Sequence, residues 1–497
     1  MNIKIPNKQY LFDAYSLLLE GDINIMNNSY SYYGLNEKIF TSEKLKKLME
    51  ENGIKNRLKL SSGTSDRLTF NKFIQQTITD LQNASYYRFY TPPKGNIIAR
   101  KALSYMETIK FKNSFYTEDD ICITEGSTGA ITLVIEYIKN TYLNAEVLIA
   151  GPTYYLYKFA STYYNLPIRE VITVDKKNPF AFNLKLLKNS ISEKTKLIVL
   201  VRPNNPVGEI YTAADVSEIL LIAKEKNILV LADEIFFELI FNKNAVEECD
   251  ILAEKTQTLN NLVIVKGYSK NKNLAAFRIG YVLSKNKDLL TAAQEISEQR
   301  QCFPNAQNYT GIICLDSFIQ ATNTLIKKKG LLIEQAISQA RKNLSFSPTI
   351  KEKTYNELKT IYVNYQKYIQ EKMKYYSENL ETALTMLQDD LAYMLPKTTA
   401  FNTLVKIKGL EGINHFDFCF NLLLTTGTES QIGPCFAFDQ QVWQENPNLG
   451  FWLRLSYSRE TFLEGVKNFV EFKKIYLENK DKFLKTNILL KQGNMIK

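Results

Sequence analysis

Short β-branched runs alternate with longer amphipathic stretches through the middle of the chain. The runs are ICIT (121–124), EVLIA (146–150), KLIVLV (196–201), ILVLA (228–232), LVIVK (262–266) and RIGYVL (278–283), with helical periodicity at 128–141 and 213–227 between them. Strands that are apolar throughout and separated by helices predict an α/β fold with a mostly parallel sheet covered by helices on both faces. Residues 1–75 are polar, rich in Asn, Lys and Tyr, and weakly helical at 42–51. Residues 318–385 are mostly helical. Their stripe of Tyr362, Tyr365, Ile369, Met373, Tyr376 and Leu380 reads as one buried helix face. Strand-like pieces return in TLVKI and FWLRLSY, and a charged terminal helix begins at about 459. The expected division is a large α/β domain over 76–317 and a smaller α+β domain built from both chain ends, 1–75 and 318–497. A helical insertion is expected near 318–360.

The length of 497 residues suits two or three domains, and 45% hydrophobic with 23% charged residues is a soluble globular composition. A net charge of +10 over so long a chain, with no concentrated basic stretch, predicts neither a nucleic-acid nor a membrane partner. His415 is the only histidine, which excludes a His-rich zinc site or a Ser-His-Asp triad built elsewhere. Cys122, Cys249, Cys302, Cys314, Cys419 and Cys435 are scattered without a C-x-x-C pair. That argues against a zinc ribbon, an iron–sulfur cluster or a disulfide framework and fits a reducing compartment. The N-terminus MNIKIPNKQYLFDAY has no apolar core of a signal peptide, and no apolar run reaches the ~18 residues of a membrane span. A cytoplasmic protein is expected, and difficult chemistry in it would fall to a non-metal cofactor.

Three candidate sites follow predicted strands. Arg202-Pro203-Asn204-Asn205-Pro206-Val207-Gly208 makes a tight loop after KLIVLV, Asp233 ends ILVLA, and Gly267-Tyr268-Ser269-Lys270 follows LVIVK, with Arg278 eight positions on. Each alone has an ordinary explanation: a turn, a helix cap, a solvated lysine. Together they crowd an amide, a carboxylate, an amine and a guanidinium at the C-terminal ends of one sheet, where α/β folds bind ligands.

With these residues the chain resembles the class I/II aminotransferase family, fold type I of the pyridoxal-phosphate enzymes, from about Leu60 to Phe472. Phe89-Tyr90-Thr91-Pro92-Pro93-Lys94-Gly95 followed by Arg100, Gly126-Ser127-Thr128-Gly129-Ala130, Pro152-Thr153-Tyr154, and Arg454 in FWLRLSYS carry the rest of the likeness. The resemblance implies pyridoxal 5′-phosphate as cofactor, held by Lys270 as a Schiff base, with the same lysine shuttling the substrate Cα proton. It implies that Asp233 pairs with the pyridine nitrogen, Asn205 with the 3′ oxygen and the substrate carboxylate, and Tyr154 with the ring face. Gly126, Ser127, Thr128, Ser269 and Arg278 would hold the phosphate. Tyr90 would reach the phosphate of a neighbouring subunit, so a homodimer with a shared active site is implied. Arg454 and Gly63 would bind the α-carboxylate.

Three departures stand out. Phe236 occupies the place of a tyrosine that donates to the 3′ oxygen, and Gly267 that of a serine or threonine at the phosphate. Arg202 enters the turn as an expected surface ion-pair partner, with a second anion contact as the alternative. The expected activity is amino-group transfer between an α-amino acid and a 2-oxo acid. The alternatives are another reaction of the same cofactor class (β-elimination, decarboxylation or a cyclising synthesis) and a non-catalytic sensor, which the retained lysine disfavours.

Overall fold

A computed structural model of the chain describes residues 3–19, 42–83, 88–175, 179–241, 246–300, 309–394, 401–432, 446, 449–483, 485, 489–491 and 494–496. Cys302 and Cys435 lie outside the described residues.

Seven strands form the main sheet: β1 (Ile121–Glu125), β2 (Glu146–Gly151), β3 (Ile168–Ile172), β4 (Thr195–Val201), β5 (Leu229–Asp233), β6 (Leu262–Gly267) and β7 (Ile279–Ser284), in the spatial order β1-β7-β6-β5-β4-β2-β3. β3, β2, β4, β5 and β6 run parallel, whereas β7 is antiparallel to both β6 and β1. Alternation along the strands divides the apolar side chains between two cores. Ile198, Leu200, Val230 and Ile264 face one, with helices at 97–108, 213–225 and 310–329. Leu197, Val199, Leu231 and Val265 face the other, against α1 (Gly126–Thr141), α2 (Leu156–Tyr163) and the helix at 287–300. Burying each such side chain is worth roughly 1.5–3 kcal/mol, so the doubly covered sheet is a stiff base for its loops.

The smaller sheet contains β8 (Leu391–Met394), β9 (Asn402–Ile407), β10 (Gln431–Ile432) and β11 (Phe451–Ser456), all antiparallel in the order β10-β11-β9-β8. The N-terminal part of the chain joins this region. Leu58–Lys59 pairs in parallel with Thr428–Glu429, and Tyr10, Leu11, Leu45 and Met49 pack against Phe416 and Phe420.

The expected boundary at 317 falls inside a single helix, Thr310–Lys329, buried in the large core. The change of core occurs within the 33-residue helix Tyr355–Leu387. Leu358, Ile361, Tyr362 and Tyr365 belong to the large core, and Tyr376, Leu380, Ala383 and Leu387 to the small one. An apolar stripe tells which face of a helix is buried, not which sheet it is buried against. Among the described residues, no helix is long and apolar enough to cross a membrane, and Cys122, Cys249, Cys314 and Cys419 carry no disulfide.

Candidate active site

The parallel strands β4, β5 and β6 end side by side, with Val201 opposite Asp233 and Asp233 opposite Val265. Their C-terminal ends deliver the Asn205 turn, Asp233 and the four-residue helix α3 (Tyr268–Asn271) to one place. There a cavity of about 340 Å³ lies between the two sheets. Its lining includes Gly63, Ser127, Thr128, Tyr154, Asn205, Asp233, Ser269, Lys270, Arg278 and Arg454. Gly63 and Arg454, at distant points of the chain, thus meet the strand-end residues because one sheet gathers its strand ends and the other presents β11.

Lys270 donates its ammonium to the carbonyl of Gly63. Burial, reinforced by the charges of Arg454 and then Arg278, lowers its amine to about 8. Close to neutral pH this amine is poised between its two protonation states, as a proton shuttle or nucleophile requires.

Asp233 is buried. Its Oδ2 accepts from the Tyr157 hydroxyl at 2.8 Å and its Oδ1 from the Ile235 N–H at 3.1 Å. Burial raises its carboxyl to about 6, against the lowering effect of those two donors. A cationic group in the cavity would therefore be favoured by Asp233, since it offsets the burial of the carboxylate. Asn205 and Arg454 are coupled: Nη1 of the arginine donates to Asn205 Oδ1 at 3.1 Å, and its Nε to Ser61 Oγ at 2.7 Å. The guanidinium is thereby oriented by neutral acceptors.

The other end of the cavity is made of glycines and a helix start. Gly126 takes a φ of +68° and opens α1, and the preceding Glu125 makes no side-chain cap, so no side chain from that position takes up the first N–H groups. Arg278 reaches across them and donates to the carbonyls of Ala275 and Glu125 at 3.2 and 3.3 Å. A Cβ on Gly126 would come within 2.8 Å of the Arg278 guanidinium, and one on Gly280 within 2.6 Å of the Ser127 nitrogen. Only bare backbone allows so close an approach. At Gly267 a Cβ would lie 3.5 Å from that nitrogen, an ordinary contact, so space for a larger residue exists there.

Tyr154 walls the cavity beside Tyr155, their rings 4.6 Å apart. Phe236 also lines the cavity, buried against Phe401 with ring centroids 5.2 Å apart. Tyr90 is not brought to this cavity: it is 90% exposed, next to the exposed Phe89. Arg100 braces its own loop through the carbonyls of Gly95 and Glu118. Arg202 is neither a surface ion-pair partner nor an anion contact. It is 1% exposed and donates to the carbonyls of Tyr211 and Glu247, because the turn folds inward beneath the loop at 246–249. His415 is stacked on Phe451 at 4.5 Å, remote in role from the cavity, and burial lowers its imidazole to about 4.

Sequence reasoning missed four contributors. Tyr157 and Ser61 orient Asp233 and Arg454, while Lys59 and Glu429, paired with each other at the cavity edge, bring a further ion pair. The aromatic at 157, three positions after Tyr154, was a faint signal. Ser61, two residues before Gly63, was another.

The family model described as aminotransferase class I and II matches residues 55–345. A tyrosine aminotransferase of Dictyostelium discoideum is 28% identical over 49% of this chain and 54% of its own length. An aspartate aminotransferase of Bacillus sp. (strain YM-2) is 27% identical over 51% of this chain and 62% of its own. The matches thus span between half and two thirds of those curated relatives. The solved structure of Thermus thermophilus aspartate aminotransferase with maleate superposes with a TM-score of 0.64 at 18% identity, covering 90% of this chain and 98% of that one. At that identity the likeness is one of fold.

Proposed function

The chain belongs to the class I and II aminotransferase family, and from that premise we propose that it transfers an amino group between an α-amino acid and a 2-oxo acid with pyridoxal 5′-phosphate bound at Lys270. The observation that carries the reading is the Lys270 amine, lowered to about 8 and facing a cavity that also receives Asp233 and Arg454.

The donor set fits this cofactor. A phosphate dianion suits the N-terminus of α1 with Arg278, a protonated pyridine suits the buried Asp233, an aromatic face suits Tyr154, and an aldehyde suits the Lys270 amine. When bound, the cofactor supplies a carbonyl for covalent attachment and a ring that withdraws electrons from the substrate Cα. The residues do the rest. Arg454 and Asn205 hold the α-carboxylate and so fix which Cα bond faces Lys270. Lys270 would take the proton from Cα on its Nζ and release it on the far side of the amino nitrogen. Asp233, itself held by Tyr157, keeps a positive charge on the ring nitrogen.

The exposure of Tyr90 and Phe89 supports a second copy of the chain covering that face, with Tyr90 completing the partner's phosphate site. The disulfide-free described cysteines support a reducing compartment. The split packing of Tyr355–Leu387 supports a two-domain division running through that helix.

An absorbance band near ~420 nm, lost on borohydride treatment and in Lys270→Ala, is expected of the lysine-linked cofactor. Incubation with single amino acids without oxo acid is then expected to yield one equivalent of oxo acid per site. Catalytic ammonia or carbon dioxide instead would favour the lyase or decarboxylase reading, to which the hydroxyl-free Phe236 lends its weight.

A further inference from the structure

The tyrosine stripe of the helix Tyr355–Leu387 is more than a packing surface. Tyr365, Tyr368, Lys372, Tyr376 and Asn379 lie on one helical face, and each spends its polar atom on a segment adjoining the cavity. The Tyr365 hydroxyl accepts from Lys272 Nζ at 3.0 Å, and that of Tyr368 donates to the Leu68 carbonyl at 3.1 Å. Tyr376 donates to Ser65 Oγ at 2.7 Å, two residues past the Gly63 carbonyl that Lys270 contacts. Asn379 donates to the Tyr457 carbonyl at 3.0 Å, just beyond β11 and Arg454.

Lys372 is the unexpected member. It is 1% exposed, and its ammonium donates to the carbonyl of Asn271, the residue after Lys270 and the last of α3. The charged and titratable groups around it are Lys272 after α3, Glu238 after β5 and Tyr368 of its own helix, whose ring centroid lies 5.5 Å from the ammonium and whose hydroxyl is in turn influenced by Tyr376 and Arg67. Glu238 and Asp316 are engaged by Lys272, and no carboxylate among the described residues lies within ion-pair distance of Lys372. A buried amine without an ion pair is costly where methionine would fill the space. What it gains is the orphan carbonyl at a helix C-terminus, an acceptor that a cation satisfies well.

We propose that Lys372 is a positioning residue for the reaction at Lys270: by clamping the Asn271 carbonyl, it fixes the short helix that aims the Lys270 amine into the cavity. The inference rests on the reading of Lys270 as the reactive amine. Its test uses the full chain with Lys372→Met, which removes the donor, and Lys372→Gln, which keeps a neutral one. In the cofactor-free protein, amide hydrogen exchange of the peptide 268–274 is expected to be about tenfold faster in Lys372→Met and near wild type in Lys372→Gln. In the loaded protein, Lys372→Met is expected to lower kcat about tenfold with KM within about twofold. The pH midpoint of its ~420 nm band should also move by about half a unit. Unchanged exchange and midpoint in Lys372→Met, or equal damage in both variants, overturns the proposal. So does a loss confined to KM. If Lys372→Met yields no folded protein, Lys372→Gln decides: wild-type exchange and kcat support the clamp, and accelerated exchange with reduced kcat refutes it. Absence of the band in the wild type would sink the functional reading instead, and the exchange experiment would still judge the clamp.

Discussion

Lys266 and Lys270 are four residues apart in one segment, yet their surroundings push them in opposite directions. Lys266, the last residue but one of β6, does not line the cavity, and its ammonium meets both oxygens of Glu107 at 2.9 Å. Burial works against its charge, but Glu107, Glu248 and Glu234 outweigh burial and raise its amine. Lys110 completes that cluster, lying 2.7 Å from Glu107 and 2.6 Å from each of Glu248 and Asp250. These three carboxylates lie within 4.8 Å of one another, close enough to ligate one cation, and the Lys110 ammonium sits among them in that place. On the cavity side, burial of Lys270 is reinforced by Arg454 and Arg278 rather than countered by acids. One cluster surrounds its ammoniums with carboxylates and is structural. The other keeps a surplus of positive charge, which only an anionic ligand offsets.

The sharpest way to break this contrast is to delete one lysine from each side. Lys270→Ala is expected to lower turnover by about 10³-fold or more while leaving the fold intact, as activity and circular dichroism would register. Lys110→Met should do the reverse. Removing one partner strands buried carboxylates and costs about 3–5 kcal/mol in urea unfolding, with turnover per folded molecule retained. If Lys110→Met proved as inactive as Lys270→Ala while still folded, the division into structural and functional clusters would fail.

Smaller effects sharpen it. Arg454→Lys keeps the charge but loses the fork, so kcat/KM should fall about 10–100-fold. Tyr157→Phe strips a donor from Asp233 at 2.8 Å. Its carboxyl then rises further above about 6, so the acid limb of the pH–rate profile should shift upward and kcat drop about tenfold.

The sequence displays the two sides unequally. The buried strands were legible because β-branched apolar runs seldom occur otherwise, but β3 was not, since Ile168–Ile172 is an edge strand with one buried residue and Arg169 and Glu170 in its middle. Nor does an apolar run carry direction, so antiparallel β7 read like its neighbours. Lys270, Asp233, Asn205 and Arg278 were legible because each occupies a strand end, a position that local pattern reveals. Tyr157 and Lys372 were not. Their meaning depends on partners 76 and 101 residues away, and in a chain with 30 tyrosines one more carries no mark. Arg202 misled because a charge in a proline-rich turn normally lies at the surface.

The least dramatic test is thermodynamic. In the cofactor-free protein Lys270 titrates near about 8 when folded and near its ordinary 10.5 when unfolded. Between those values the unfolded chain binds more protons, so this group makes stability rise with pH across that window; below it the penalty is full and constant. Lys372, lowered to about 7 by burial and then by Lys272, adds a slope of the same sign from a lower pH. The measurement is therefore a difference. Cofactor-free Lys270→Met should melt above the cofactor-free wild type at pH 7, by a small margin because the hydrogen bond to Gly63 is lost as well, and the two melting temperatures should converge as pH approaches 10. A constant gap at every pH would mean that Lys270 titrates alike in the folded and the unfolded chain, and its contrast with Lys266 would lose its electrostatic basis.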